Sequence, residues 1–228
     1  MTGAVSGPER LPESRRLRER GAAAWAAAVG HPMVAAIGAG TLPHETFRFY
    51  FEQNVQYLHS YVRAIALTIA AAPDRASQAT LARFLNQIGD VEIPANLGFL
   101  ERLGGSRDAL PAQLPTTRRY AGHLLQAAGS GNMAVSLAAL LPCQWSYGEI
   151  GRRLAAAGRP ADPVYADWIA MFSGDGYDEL VLASTSLLDS CAEATDPAAT
   201  EAAFDGATAY ELAFWEMAYT RGTGESNV

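Results

Sequence analysis

The chain contains no lysine; all 17 of its basic side chains are arginine. That excludes chemistry built on a protein amine, such as a pyridoxal-phosphate Schiff base, and removes the lysine a phosphate-binding P-loop requires. Cysteine is nearly as scarce, with Cys143 and Cys191 alone among 228 residues, so there is no disulfide framework. With no secretory leader evident, the expected location is the reducing cytoplasm. The apolar stretch Ala64–Ala72 is too short and too interrupted to cross a bilayer, and no other segment suggests a membrane. Alternating runs of β-branched residues are also missing, which argues against a sheet. Positive charge is thin: the formal net charge is -7 and the arginines are scattered apart from a cluster at 15–20. Nucleic acid and anionic lipid are therefore poor partners.

Metal-binding spacing is absent as well. None of His31, His44, His59 and His123 falls in a Glu-x-x-His pair, and Glu92 is followed four residues on by Asn96 rather than an imidazole. A di-iron centre is a poor reading on these grounds, and neither metal nor other cofactor is expected.

What is present is a globular composition, 49% hydrophobic and 18% charged, with apolar residues at helical spacing almost throughout. The expectation is an all-α fold in one domain spanning 11–219, with a disordered arm at 1–10 and a flexible tail at 220–228. The first helix is expected over 11–29, ended by Gly30, followed by a short helical turn opened by His31, Pro32 and Met33. A long helix from Leu42–Pro43 to Ala72 follows, then one over 76–103 kinked at Pro94. Further helices are expected at 115–128, 132–156, 163–172, 175–193 and 197–219.

The informative residues are polar groups on apolar stripes. Phe47, Phe51, Asn54, Leu58, Tyr61 and Ile65 share one helical face, with Tyr50 and Tyr57 on its flank. Asn54 is either a structural amide bonded to a tyrosine hydroxyl or a ligand contact, and spacing leaves both open. Leu140, Cys143, Tyr147, Ile150 and Leu154 form a second stripe, where a cysteine is either inert core or a thiol opening into a cavity behind the bend expected at Pro142. Phe204, Ala207, Glu211, Trp215 and Ala218 form a third. There Glu211 is either half of a buried ion pair with an arginine or a carboxyl whose pKa burial has raised, as a general acid near neutral pH requires. Cys191 has no comparable polar neighbours and reads as core.

Three segments, HPMVAAIGAGTLPHETFRFYFEQN at 31–54, LAALLPCQWSYGEIG at 137–151 and YELAFWEMAY at 210–219, resemble the TenA (thiaminase II) family of aminopyrimidine hydrolases. Residues 141–151 match the family pattern Leu-Pro-Cys-x-Trp-x-Tyr-x-Glu-x-Gly throughout, and the likeness extends over roughly 22–219. The resemblance implies a haem-oxygenase-like helical fold without haem, a homotetramer, and a small-molecule pyrimidine substrate. It implies Cys143 as nucleophile and Glu211 as catalytic acid/base. Tyr57, Tyr120 and Tyr147 correspond to pocket tyrosines that stack on or orient the pyrimidine, and Phe172 to a further pocket aromatic. Asn54 departs from the pattern, because familiar members carry an aspartate there that contacts the pyrimidine. Asn96 stands where a histidine is expected.

The implied reaction is addition of the Cys143 thiolate to a pyrimidine carbon activated by a proton from Glu211. Loss of the substituent on the 5-methylene and reversal by water would then give hydroxymethylpyrimidine, a salvage step for thiamin. Three alternatives remain at this level. One is a different amine or formamide substrate on the same scaffold. Another is a non-catalytic pyrimidine-binding or regulatory protein. The last is a haem-oxygenase-like oxidase, which the histidine spacing disfavours.

Overall fold

A computed structural model describes residues 11–223, and within them the chain is helical, with no strand. The arm at 1–10 and positions 224–228 lie outside the described residues. Eleven α-helices occur among these residues: α1 (Glu13–Arg20), α2 (Ala22–Val29), α3 (Pro32–Ala39), α4 (His44–Ala71), α5 (Arg75–Asn86), α6 (Ile93–Arg102), α7 (Pro115–Gly129), α8 (Met133–Ala157), α9 (Pro163–Ser173), α10 (Asp175–Cys191) and α11 (Pro197–Tyr219). A π-helical segment, Gln87–Glu92, joins α5 to α6.

The helix starts follow from local chemistry. Asp74, Asn132, Asp162 and Asp196 each accept from backbone N–H groups of the first turn that have no partner inside the helix. Proline occupies the opening position of α3, α7, α9 and α11, where its missing N–H costs nothing. Expected and observed limits agree closely from α7 to α11 for that reason.

Three expectations are corrected. The helix expected over 11–29 is two, interrupted at Gly21, which leaves helical geometry at φ -84° and ψ 13°. The turn after His31 is a complete eight-residue helix, ended by Gly40 in the left-handed region at φ 66°. The helix expected over 76–103 is broken into α5, the π segment and α6. Pro94 has no N–H and its ring crowds the carbonyl four residues back, so the backbone widens into i→i+5 bonding just ahead of it. Of the tail expected at 220–228, residues 220–223 form a bonded turn, with Gly222 N donating to Met217 O at 2.9 Å and Arg221 paired to Glu45 at 3.0 Å.

Burial is organised around α4, α8 and α11. The partners of α8 are chiefly α11, α9 and α10, and α4 lies along α7. Every member of the α4 and α11 stripes is buried, as are Leu140, Tyr147, Ile150 and Leu154 of the α8 stripe. Pro142 sits inside α8, yet the helix runs continuously from Met133 to Ala157. The most apolar window, the 18 residues Ala22–Ala39, is shared by α2 and α3. Each is about 12 Å long, well short of a bilayer's hydrocarbon core.

Candidate active site

Cys143 on α8 and Glu211 on α11 are brought close enough, where these two helices pack, for each to bear on the other's ionisation. Glu211 is buried, and Tyr120 on α7 donates its hydroxyl to Glu211 Oε1 at 2.5 Å. Burial pushes the carboxyl up to about 7, while the bond from Tyr120 and the nearby Cys143 thiol hold it back. Among the described residues no arginine bears on its ionisation, so the ion-pair alternative is set aside.

Cys143 keeps partial accessibility although the residues on either side of it along the stripe are buried. Burial of the sulfur raises the thiol well above its ordinary range, and the nearby carboxyls of Glu211 and Glu92 raise it further. The Tyr57 hydroxyl opposes this rise. That hydroxyl remains buried with no hydrogen-bond partner among the described residues. A buried hydroxyl left without a partner costs about 1–3 kcal/mol, which a ligand supplying that partner would recover.

Tyr57 and Tyr120 stand side by side at 4.5 Å between ring centroids. On the far side, Tyr50 and Tyr147 share a hydroxyl contact at 2.9 Å, and both rings lie against Trp215, at 5.4 and 5.3 Å. Phe172 meets Tyr147 edge-on at 5.0 Å. Gly151 makes that approach possible, since a Cβ there would lie 2.5 Å from the Phe172 carbonyl carbon. Burial holds Tyr50, Tyr57, Tyr120 and Tyr147 protonated. They are therefore hydrogen-bonding phenols at neutral pH, and flat faces for a flat ligand.

Asn54 is buried but does not bond a tyrosine; its Nδ2 donates to Asn96 Oδ1 at 2.9 Å. Asn96 Nδ2 in turn donates to the Glu92 main-chain carbonyl at 2.8 Å. The structure therefore gathers Cys143, Glu211, Tyr57, Tyr120, Tyr147 and Phe172 into one aromatic-walled region, and Asn54 lies on α4 as Tyr57 does, bonded to Asn96 of α6.

Glu92 was missed as a site candidate. It is buried and its carboxyl is raised to about 7, first by burial and then by Glu211. Its charge also bears on Cys143, Tyr50 and Tyr61. Spacing concealed it because a π turn rotates the helix face by roughly one residue step. In the motif at 141–151, Glu149 and Trp145 face the other way: Trp25 Nε1 donates to Glu149 at 2.9 Å and packs edge-on against Trp145 at 5.4 Å. These two residues attach α2 to α8 and leave Cys143 and Tyr147 for the site. Cys191 is half-buried, packed against the core, and its thiol donates to Leu188 O at 3.5 Å. No group of three or more His, Cys, Asp or Glu side chains suited to a metal occurs among the described residues.

Sequence and structure comparisons show what the chain as a whole is similar to. The family model described as TENA/THI-4/PQQC matches residues 18–221. An aminopyrimidine aminohydrolase of Halalkalibacterium halodurans is 34% identical over 209 residues, covering 89% of this chain and 93% of the relative. A crystal structure of a TenA family transcription regulator from Silicibacter sp. TM1040 superposes with a TM-score of 0.84 at 30% identity, over 91% of this chain and 96% of that one. A Shewanella denitrificans domain with a haem-oxygenase-like fold superposes at 0.73 over 94% and 97% of the two chains, at only 12% identity, and so speaks to the fold alone.

Proposed function

The chain belongs to the TENA/THI-4/PQQC family, and from that premise we propose that it hydrolyses thiamin-derived aminopyrimidines, with Cys143 as nucleophile and Glu211 as acid/base. The observation that carries the reading is a buried Glu211 carboxyl held at about 7, bonded by Tyr120 and near enough to the Cys143 thiol for each to bear on the other's ionisation, beside a wall of protonated tyrosines. A general acid/base works best with its pKa near the operating pH, and Glu211 meets that condition by burial.

The raised thiol shapes the mechanism. Free thiolate is scarce while burial holds the thiol up, so the proton leaves sulfur as the carbon–sulfur bond forms. Glu211 takes that proton in its carboxylate form and passes it to the adjacent ring nitrogen, which draws electrons from the carbon under attack. The amine on the 5-methylene, bound as the ammonium with a proton from solvent, then leaves as ammonia. Water adds to the exposed methylene and gives its spare proton back to solvent, and the carbon–sulfur bond breaks as the ring nitrogen returns its proton to sulfur by way of Glu211. In sum, aminomethylpyrimidine and water become hydroxymethylpyrimidine and ammonia. Tyr57, Tyr120, Tyr147 and Phe172 hold the ring between them, and Asn54 contacts its edge. The working form is a homotetramer in the cytoplasm and takes no cofactor.

Incubating the pure protein separately with 4-amino-5-aminomethyl-2-methylpyrimidine, its formyl derivative and thiamin tests the substrate class. Release of hydroxymethylpyrimidine from at least one is expected. Binding of all three without release would favour a non-catalytic pyrimidine-binding protein.

A further inference from the structure

The Asn54–Asn96 pair carries more information than burial alone. An amide has a donating and an accepting end, and which end meets a ligand depends on what holds the other. The Glu92 main-chain carbonyl can only accept, so Asn96 must turn its Nδ2 toward it, at 2.8 Å. Asn96 Oδ1 is thereby left to accept, and Asn54 must present its own Nδ2, at 2.9 Å. The remaining atom of the Asn54 amide, Oδ1, is the end not committed to this relay. The relay begins in the π-helical segment, whose widened backbone precedes Pro94. Asn96 is fully buried and Asn54 nearly so, at 0% and 4% exposure, which leaves water little chance to reverse either amide.

We propose that Asn96 is a positioning residue that fixes the orientation of the Asn54 amide, so that the pocket meets its ligand there with a hydrogen-bond acceptor. The group opposite is then a neutral N–H donor, as the exocyclic amine of an aminopyrimidine is. This inference rests on the aminopyrimidine reading and adds to it which edge of the ring faces α4 and what enforces the choice. A reversed amide would set its NH2 against the amine and remove the preference.

The test is calorimetric binding of two probes, 4-amino-5-hydroxymethyl-2-methylpyrimidine and its analogue with methyl in place of the amino group, which is similar in size but has no N–H. The wild-type protein should bind the amino compound at least about tenfold tighter, the difference one net hydrogen bond makes. In Asn96→Leu the donor to Glu92 and the acceptor for Asn54 are both gone, and the two probes should bind within about threefold of each other. The same variant should raise KM for an amino substrate by about tenfold, with a smaller change in kcat, a split that general loosening of the fold does not produce. Equal binding of the probes by the wild-type protein, a measurement that needs no variant to fold, would overturn the assigned orientation. A preference that persists undiminished in folded Asn96→Leu would remove Asn96 from the role. Failure of the wild-type protein to bind either probe would remove the aminopyrimidine reading, and this inference with it.

Discussion

Replacing Glu211 with glutamine tests whether a buried carboxyl controls the site. In the folded protein Glu211 keeps its proton until about pH 7, whereas the ordinary value is 4.5. Between these values the native state binds more protons than the unfolded chain, so its stability falls as pH rises, and the loss is complete above the folded pKa. At 1.36 kcal/mol per tenfold change, the full displacement corresponds to about 3 kcal/mol, most of which accrues between pH 5 and pH 8. Glutamine keeps the shape and still accepts from Tyr120, but it has no proton to lose. Glu211→Gln should therefore gain about 2–3 kcal/mol relative to wild type over that interval, a differential Tm shift of roughly 4–12 °C for a chain of this size. Glu92 titrates in both proteins and largely cancels. What remains of its coupling to Glu211 acts in the same direction, because losing that charge eases Glu92's own ionisation. Urea or thermal unfolding of both proteins across the pH range measures the difference. A gap that stays constant within about 0.5 kcal/mol would show that Glu211 ionises like a surface carboxyl, and the acid/base argument would lose its basis. Turnover of the variant should drop by about two to four orders of magnitude, the usual contribution of a positioned acid or base.

Other perturbations address the walls of the site. Tyr57→Phe removes a buried hydroxyl that has no partner, so unfolding experiments should show unchanged or higher stability, while kcat/KM falls by about tenfold. Gly151→Ala should cost about 1–3 kcal/mol and weaken ligand binding, because the added Cβ would meet Phe172 backbone at 2.5 Å and force α9 outward. Gly98→Ala on α6, where nothing lies within 4 Å of the new atom, should instead raise stability by up to about 1 kcal/mol in the same denaturation assay. Cys191→Ser should leave turnover within about twofold of wild type, since that thiol bonds only to its own helix.

The parts of the fold legible in the sequence are those marked by local chemistry. Pro115, Pro163 and Pro197 open helices at the positions where they stand, and Asn132 and Asp196 cap theirs as their side chains dictate. Three apolar stripes with one polar member each placed Asn54, Cys143 and Glu211 inward correctly, because helical periodicity is a direct consequence of burying one face. The interruption at Gly21 was not legible, since an isolated glycine within an alanine-rich run does not by itself end a helix. The π segment left only Pro94 as a trace, and it displaced the helix phase that would have shown Glu92 facing inward. Nor does spacing reveal what a polar group bonds to across the fold: Tyr120 with Glu211, and Asn96 with Asn54, are separated by 91 and 42 residues.

The central claim is that Cys143 and Glu211 together convert an aminopyrimidine to its alcohol. Its most direct test is turnover of 4-amino-5-aminomethyl-2-methylpyrimidine by the wild-type protein and by Cys143→Ser, with ammonia and hydroxymethylpyrimidine quantified in the same reaction. The account predicts the two products in a one-to-one ratio from wild type, and a loss of at least about a thousandfold in the serine variant at unchanged thermal stability. A serine variant that keeps more than about a tenth of the wild-type rate would contradict it, because loss of the nucleophile costs orders of magnitude.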